Sequence, residues 1–183
     1  MDVRRLDPIE QVVADLRREL DDLKSTILRR VSLAGGAGQS PLSRVLLTAS
    51  QSTPSTSFVN VPGMTYALAA SELVAFCFHL THRSANTAEA VGLAINGPAG
   101  PTWVSYAIRL YTTTTSSLWA RSTAYDTGVQ GTSVLTANTS YEALVYGAVQ
   151  NGANAGTLAL RMKSELGASV TLDEGGFGVF YKP

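Results

Sequence analysis

Gly156-Thr157-Leu158-Ala159-Leu160-Arg161-Met162-Lys163 sets an apolar residue at every second position. Leu158, Leu160 and Met162 alternate with Ala159, Arg161 and Lys163. Successive side chains of an extended strand leave on opposite faces, so this spacing predicts a half-buried strand. The same period recurs in Val91, Leu93 and Ile95, and in Tyr106, Ile108 and Leu110. Gly, Pro, Asn and Ser separate such runs. Strands are expected near 44–49, 57–61, 64–70, 72–82, 89–95, 104–112, 117–124, 132–136, 141–149, 156–164, 169–172 and 176–181. No helical period follows residue 31, and no internal repeat is found. Regular short strands with turn signals predict a mainly β chain, an antiparallel β-sandwich over 44–183.

Upstream the pattern changes. Residues 32–43 contain Ala34-Gly35-Gly36-Ala37-Gly38-Gln39-Ser40-Pro41, a flexible linker by composition. Residues 1–31 hold 7 of the 14 Lys and Arg and 7 of the 14 Asp and Glu. Within them Leu6, Ile9, Val13, Leu16, Leu20, Leu23 and Ile27 are spaced 3, 4, 3, 4, 3, 4. That is a heptad seam, with Leu6, Val13, Leu20 and Ile27 at a and Ile9, Leu16 and Leu23 at d. Asp7 suits an N-cap, Pro8 the first helical turn and Glu10 a capping box. Arg29 and Arg30 close the helix as the macrodipole prefers. The segment is expected to form an α-helical coiled coil rather than a helix lying on its own domain. A seam this narrow suits self-association, and a lone helix of this length is marginal in water.

The remaining 152 residues carry only 14 formal charges, about 9% against a usual ~25%. Such a surface lacks the basic stripe that nucleic acid requires, so no nucleic-acid partner is expected. With a charged start no signal peptide is expected, and no apolar run reaches the ~20 residues of a membrane span. A chain made in the cytosol, without membrane insertion, is expected. The single cysteine, Cys77, sits in Leu73-Val74-Ala75-Phe76-Cys77-Phe78 and is expected to be a buried, inert thiol.

The closing stretch continues from Ser164-Glu165-Leu166 through Ala168-Ser169-Val170-Thr171-Leu172-Asp173-Glu174-Gly175-Gly176 to Phe177-Gly178-Val179-Phe180-Tyr181. An amphipathic strand leading into Ser-Glu, a Ser-Val-Thr-apolar strand, a Gly turn and an aromatic last strand resemble the end of small bacteriophage fibre and decoration proteins. Those are similar to trimeric jelly rolls of the C1q and tumour-necrosis-factor kind. Asp173-Glu174 departs from the basic or neutral residues usual before that turn. The resemblance implies a homotrimer, joined by the coil and ending in a jelly-roll-like knob. It implies a virion location, with synthesis in the host cytoplasm. The expected function is non-enzymatic: a fibre or minor tail protein that meets the host surface. The alternatives are a capsid decoration or head-fibre protein, and a cellular C1q-like binding module. Docking to other virion proteins is expected through the N-terminus.

Catalytic patterns are weak. Asp126-Thr127-Gly128 copies the aspartic-protease tripeptide, but that chemistry pairs two such carboxylates, and an Asp-x-Gly turn explains it. His79 and His82, three apart on a strand, point to opposite faces and have no acidic or Cys cluster beside them. No metal, cofactor or catalytic residue is therefore expected. Thr112-Thr113-Thr114-Thr115-Ser116-Ser117 reads as a hairpin tip. Trp103, Tyr111, Trp119 and Tyr125 are the candidate ligand contacts, since aromatic faces with a polar handle suit sugars. Core packing is the competing explanation for each.

Overall fold

A computed structural model describes residues 42–183. The expected coiled coil and the linker up to residue 41 lie outside the described residues. Twelve strands and no helix occur among those described: β1 (Leu42–Leu46), β2 (Gln51–Thr53), β3 (Val59–Leu68), β4 (Leu73–Ser84), β5 (Val91–Asn96), β6 (Trp103–Tyr111), β7 (Ser117–Ser122), β8 (Val129–Gln130), β9 (Tyr141–Gln150), β10 (Gly156–Ser164), β11 (Val170–Leu172) and β12 (Phe177–Tyr181).

Their pairing is nested. β1 pairs with β12, β2 with β11, β3 with β10, β4 with β9, β5 with β8 and β6 with β7, all antiparallel. The chain is thus one long ribbon folded back on itself, with the β6–β7 hairpin at its tip. The ribbon then rolls up: β11 and β12 also pair with β4, β9 with β6, and β10 with β5. This is the winding of a jelly roll. It yields an eight-stranded sheet, ordered β1-β12-β4-β9-β6-β7 with β2 and β11 attached, and a four-stranded sheet ordered β3-β10-β5-β8.

The core lies between the two sheets. Alternate residues of β4 (Val74, Phe76, Phe78, Leu80) meet Leu158, Leu160 and Met162 of β10 and Val91, Leu93 and Ile95 of β5 in one buried cluster. Each such side chain contributes about 1.5–3 kcal/mol on full burial. Phe180 stacks on Tyr66 at 4.6 Å and meets Phe78 edge-on at 5.5 Å, tying β12 to both sheets.

Several expectations need correction. The strands expected at 57–61 and 64–70 are one strand, β3, interrupted by a bulge. Pairing with β10 jumps from Thr65–Ala159 to Asn60–Arg161. Gly63 sits in the bulge at φ 78°, where a residue without Cβ avoids a steric penalty. No strand forms at 132–136. Val134 instead plugs a small cluster with Ala90 and Tyr141, and its amide donates to the Thr87 carbonyl. β2 was not expected, because Gln51-Ser52-Thr53 has no apolar alternation; β11 holds it in place. Cys77 is exposed, not buried. The inward positions of β4 are the even ones, so the odd Cys77 faces out with Ala75 and His79.

The Ser164-Glu165-Leu166 turn gains a physical explanation. Glu89, buried to 1% exposure, accepts from Ser164 Oγ at 2.6 Å and from the amides of Glu165, Leu166 and Ala168 at 2.5, 2.8 and 3.1 Å. Ser164 Oγ accepts in turn from the Gly167 amide at 2.9 Å. One carboxylate therefore fixes the whole β10–β11 connection.

Candidate functional site

Registers across the eight-stranded sheet place outward residues in rows; the first two run from β1 to β7, the third from β1 to β6 and the fourth from β4 to β6. The first row is Leu46, Phe177, His79, Leu144, Arg109 and Trp119. The second is Arg44, Val179, Cys77, Tyr146, Ala107 and Arg121. Leu42, Tyr181, Ala75, Ala148 and Ser105 form the third, and Leu73, Gln150 and Trp103 the fourth. Eleven large apolar side chains are exposed among the described residues, and eight of them stand in these rows. Trp119 (62% exposed), Leu46 (57%) and Tyr146 (45%) are prominent among them.

Two depressions mark this face. A groove of about 570 Å³ runs between β1 and β12, walled by Leu46, Phe177 and Val179. A shallower hollow of about 290 Å³ lies across β9, β6 and β7, lined by Ser105, Ala107, Trp119, Arg121, Tyr146 and Gly147. Its polar wall is ordered: Arg121 donates to Ser105 Oγ from Nε at 3.1 Å and from Nη2 at 2.9 Å. An exposed indole beside a fixed guanidinium and hydroxyl can stack on a sugar and donate to its oxygens. Near the other groove, His79 stacks on Phe177 at 5.4 Å and meets Glu142 at 2.9 Å.

The four candidate aromatics do not converge. Trp103 and Trp119 share the face, but their rows are six residues apart along β6, roughly 20 Å. Trp103 lies beyond Leu42, and Trp119 lies level with Leu46 on the edge strand β7. Tyr111 is half-buried against the Ala90–Val134–Tyr141 cluster, with the Arg109 guanidinium 4.7 Å above its ring. Tyr125 packs against the main core, and burial pushes its hydroxyl up to about 12. Gly97 makes room for it, since a Cβ there would stand 2.4 Å from Tyr125 Oη.

The other singled-out residues take structural places. Asp126 occupies a turn at φ 56°, its amide bonded to the Ile95 carbonyl and its carboxylate to Arg161 at 2.7 Å. His79 points out and His82 in, as their spacing requires. Among the described residues no group of three or more His, Cys, Asp or Glu is placed to hold a metal. No described helix is long and apolar enough to cross a membrane.

Tyr146, Phe177, Tyr181 and Leu46 escaped the sequence reading. A signal was present. Phe177-Gly178-Val179-Phe180-Tyr181 and Leu73-Val74-Ala75-Phe76-Cys77-Phe78 are apolar at both odd and even positions. Apolar residues at both parities signal that the outward positions are apolar as well as the inward ones.

No family model matches the chain, and no curated protein matches it. Among solved structures, it is similar to the tripod from the baseplate of bacteriophage Tuc2009. That match has 11% identity, covers 74% of this chain and 64% of that one, and has a TM-score of 0.32. The chain thus spans just under two thirds of the tripod chain's length. A carbohydrate-binding module from Cellvibrio mixtus lichenase 5A, in complex with cellotriose, shows 11% identity over 77% of this chain and 97% of that one, TM-score 0.30. The infectious bursal disease virus VP2 subviral particle shows 10% identity over 78% and 41%, TM-score 0.25. The neighbours thus include virion proteins and sugar-binding β-sandwich modules. These likenesses are weak and concern the β-sandwich alone.

Proposed function

We propose that this chain is a non-enzymatic structural protein of a bacteriophage virion. It acts as a homotrimeric fibre or minor tail protein whose β-sandwich knob meets the host surface. The observation that carries this reading is the combination of two self-association signals in one chain. A heptad seam from Leu6 to Ile27 precedes a Gly-rich linker. A low-charge jelly roll with a broad uncovered apolar face, among the described residues, follows it. Three copies joined by one short coil have their registers set by symmetry. The N-terminus is the docking end for other virion proteins.

Host contact falls to the end of the sandwich opposite Leu42. There the edge strand β7 presents Trp119, and the Thr112–Ser116 turn joins β6 to β7. A glycan is the favoured ligand class, because Trp119 offers a stacking face on the β7 edge with the Arg121 guanidinium beside it.

An antibody raised against residues 42–183 tests the reading by electron microscopy of purified particles. Label at the tail is expected. Label on the head makes the chain a decoration or head-fibre protein, and particles without label refute a virion role.

A further inference from the structure

We propose that the outer face of the eight-stranded sheet, centred on Val179, Cys77, Tyr146 and Leu144, is the surface on which sister copies of this chain pack against one another. This rests on the trimeric reading above and adds the residues that meet. The face runs over β1, β12, β4, β9 and β6, with three rows across all five strands and the fourth across three, and it leaves Trp119 on the edge strand β7 outside for host contact. Four strand spacings of about 4.8 Å and three two-residue steps of about 6.8 Å bound it at roughly 19 by 20 Å, and the short fourth row brings it to about 350 Å² in plan. Side-chain relief makes its accessible area larger. Apolar patches of that size on soluble proteins are often functional.

The distribution of side chains is that of an interface. β12, β4 and β9 supply the centre: Phe177, Val179, Tyr181, Ala75, Cys77, Leu144, Tyr146 and Ala148. His79, in the first row, is matched by the Glu142 carboxylate just outside it at 2.9 Å. The guanidinium groups stand at the rim, Arg44 on β1 and Arg109 and Arg121 toward β7. An apolar centre with a polar rim is how protein interfaces are arranged. Ala75 and Ala148 leave the third row low, so a neighbouring surface can approach closely.

A second copy is the occupant that the chain's own layout selects. β1 begins at Leu42 on the edge of this very sheet, and Arg44 and Leu46 belong to its outer rows. Only residues 32–41 separate that point from the end of the heptad segment. A Gly-rich linker of about ten residues has a root-mean-square span of about 18 Å. Copies joined at the seam are therefore held near one another's faces at an effective concentration of order mM. The chain's own heptad segment is the poorer candidate, because the 3, 4 spacing of its apolar residues suits self-association.

Cys77 stands at the centre of the face and is the only thiol, so it reports coverage without any mutation. The test measures sedimentation of the full chain together with the rate at which Cys77 reacts with a maleimide. A Leu16→Asp/Leu20→Asp variant supplies the unassembled reference. The expected result is a trimer whose Cys77 reacts at least about tenfold more slowly than in that variant, since tenfold protection needs only 1.4 kcal/mol. Tyr146→Asp, a change at an exposed position, should restore fast reaction while the far-UV spectrum stays native. A trimer whose Cys77 reacts as fast as the reference overturns the face assignment and leaves the trimeric reading standing. A monomer with a protected Cys77 means that the chain's own N-terminal segment covers the face, which overturns both. A monomer with a reactive Cys77 also refutes both.

Discussion

Replacing Glu89 with Gln isolates the device that holds the β10–β11 connection. The carboxylate is buried to 1% exposure and accepts four hydrogen bonds, three of them on Oε1. Burial alone would raise its pKa. The donors from Ser164, Leu166, Ala168 and Glu165 outweigh that and hold it below the usual carboxylate range. In Glu89→Gln the amide oxygen can still serve part of the Oε1 cluster. The amide nitrogen would then face the Ala168 N–H, donor against donor. Leaving one buried N–H unmet costs about 1–3 kcal/mol, and bonds to a charged acceptor lose roughly half their strength when it becomes neutral. Removing a buried charge offsets part of this, so the net loss is about 3 kcal/mol. For a domain of this size that is a fall in Tm of about 6–12 °C. Thermal unfolding of the full chain gives the magnitude, and amide exchange gives the location. Glu165, Leu166 and Ala168 should lose protection before the core strands do. The sign with pH follows from the depressed pKa: the contribution is complete above the unfolded value of about 4.3 and is lost as pH falls through the folded value. Glu89→Gln should therefore flatten the acid limb below about pH 4. A shift under 2 °C with those amides still protected would refute the reasoning.

His82 is fully buried and stays neutral; burial pulls its pKa down to about 4, against the opposing pull of the Tyr111 carbonyl and Asp173. The unfolded ring takes up a proton below about 6.5, so stability should fall by about 3 kcal/mol between pH 6.5 and 4, a slope that His82→Gln removes in urea titrations. Trp119→Ala should leave the melting temperature within about 2 °C, because the indole is 62% exposed, and should abolish binding of host-surface glycans on an array. Gly147→Ala places a Cβ 2.4 Å from the Ser105 carbonyl oxygen and 2.6 Å from Tyr106 Cα; the loss should be at least 2 kcal/mol in denaturant midpoints, since backbone cannot swing aside. A chain starting at Leu42 should sediment as a monomer at about 10 µM, where the full chain is assembled, because removing the tether lowers the effective concentration from about mM.

Alternation made the strands legible wherever one face is buried. Leu158, Leu160 and Met162 declared β10, and Tyr106, Ile108 and Leu110 declared β6. The failures have a shared physical cause. Val134 and Leu135 are apolar and β-compatible, yet a ladder needs a neighbour with free backbone groups, and their amides are taken singly by Thr87 and Thr112. Gln51-Ser52-Thr53 has no pattern because β11 supplies the pairing from 119 residues away. Glu89 was invisible for the same reason: its four donors lie 75 to 79 residues downstream. Local sequence reports which side of a strand is buried, but not what a distant segment brings to it. Cys77 shows the converse. Its apolar neighbourhood predicts burial, whereas parity within β4 decides the side. At the candidate site, Trp103 and Trp119 are legible in the sequence only as aromatics that either pack in the core or face out; their exposure and their separation depend on register.

On the trimeric reading proposed above, the nested pairing would let the apolar face exist without making the chain indiscriminately adhesive. A broad uncovered patch beside two edge strands, β1 and β7, invites off-register association if its intrinsic affinity is high. Because the ribbon pairs first with last, the strand where the chain enters the sandwich is the edge of that same face. A tether attached there raises the local concentration of the correct partner alone. The face then needs only modest affinity, of order 100 µM, to be mostly covered within an assembled trimer and mostly bare on a lone chain at about 10 µM. Its composition fits that regime. The centre mixes small and medium side chains, Ala75, Cys77, Val179, Leu144 and Ala148, with three exposed aromatics, Phe177, Tyr146 and Tyr181. Arg44 and Arg121 hold the margins polar. Strengthening the centre, for example by Ala148→Leu, should therefore improve trimer stability only slightly while promoting association of separate trimers. Weakening it should free the knobs while the seam still holds the chains together.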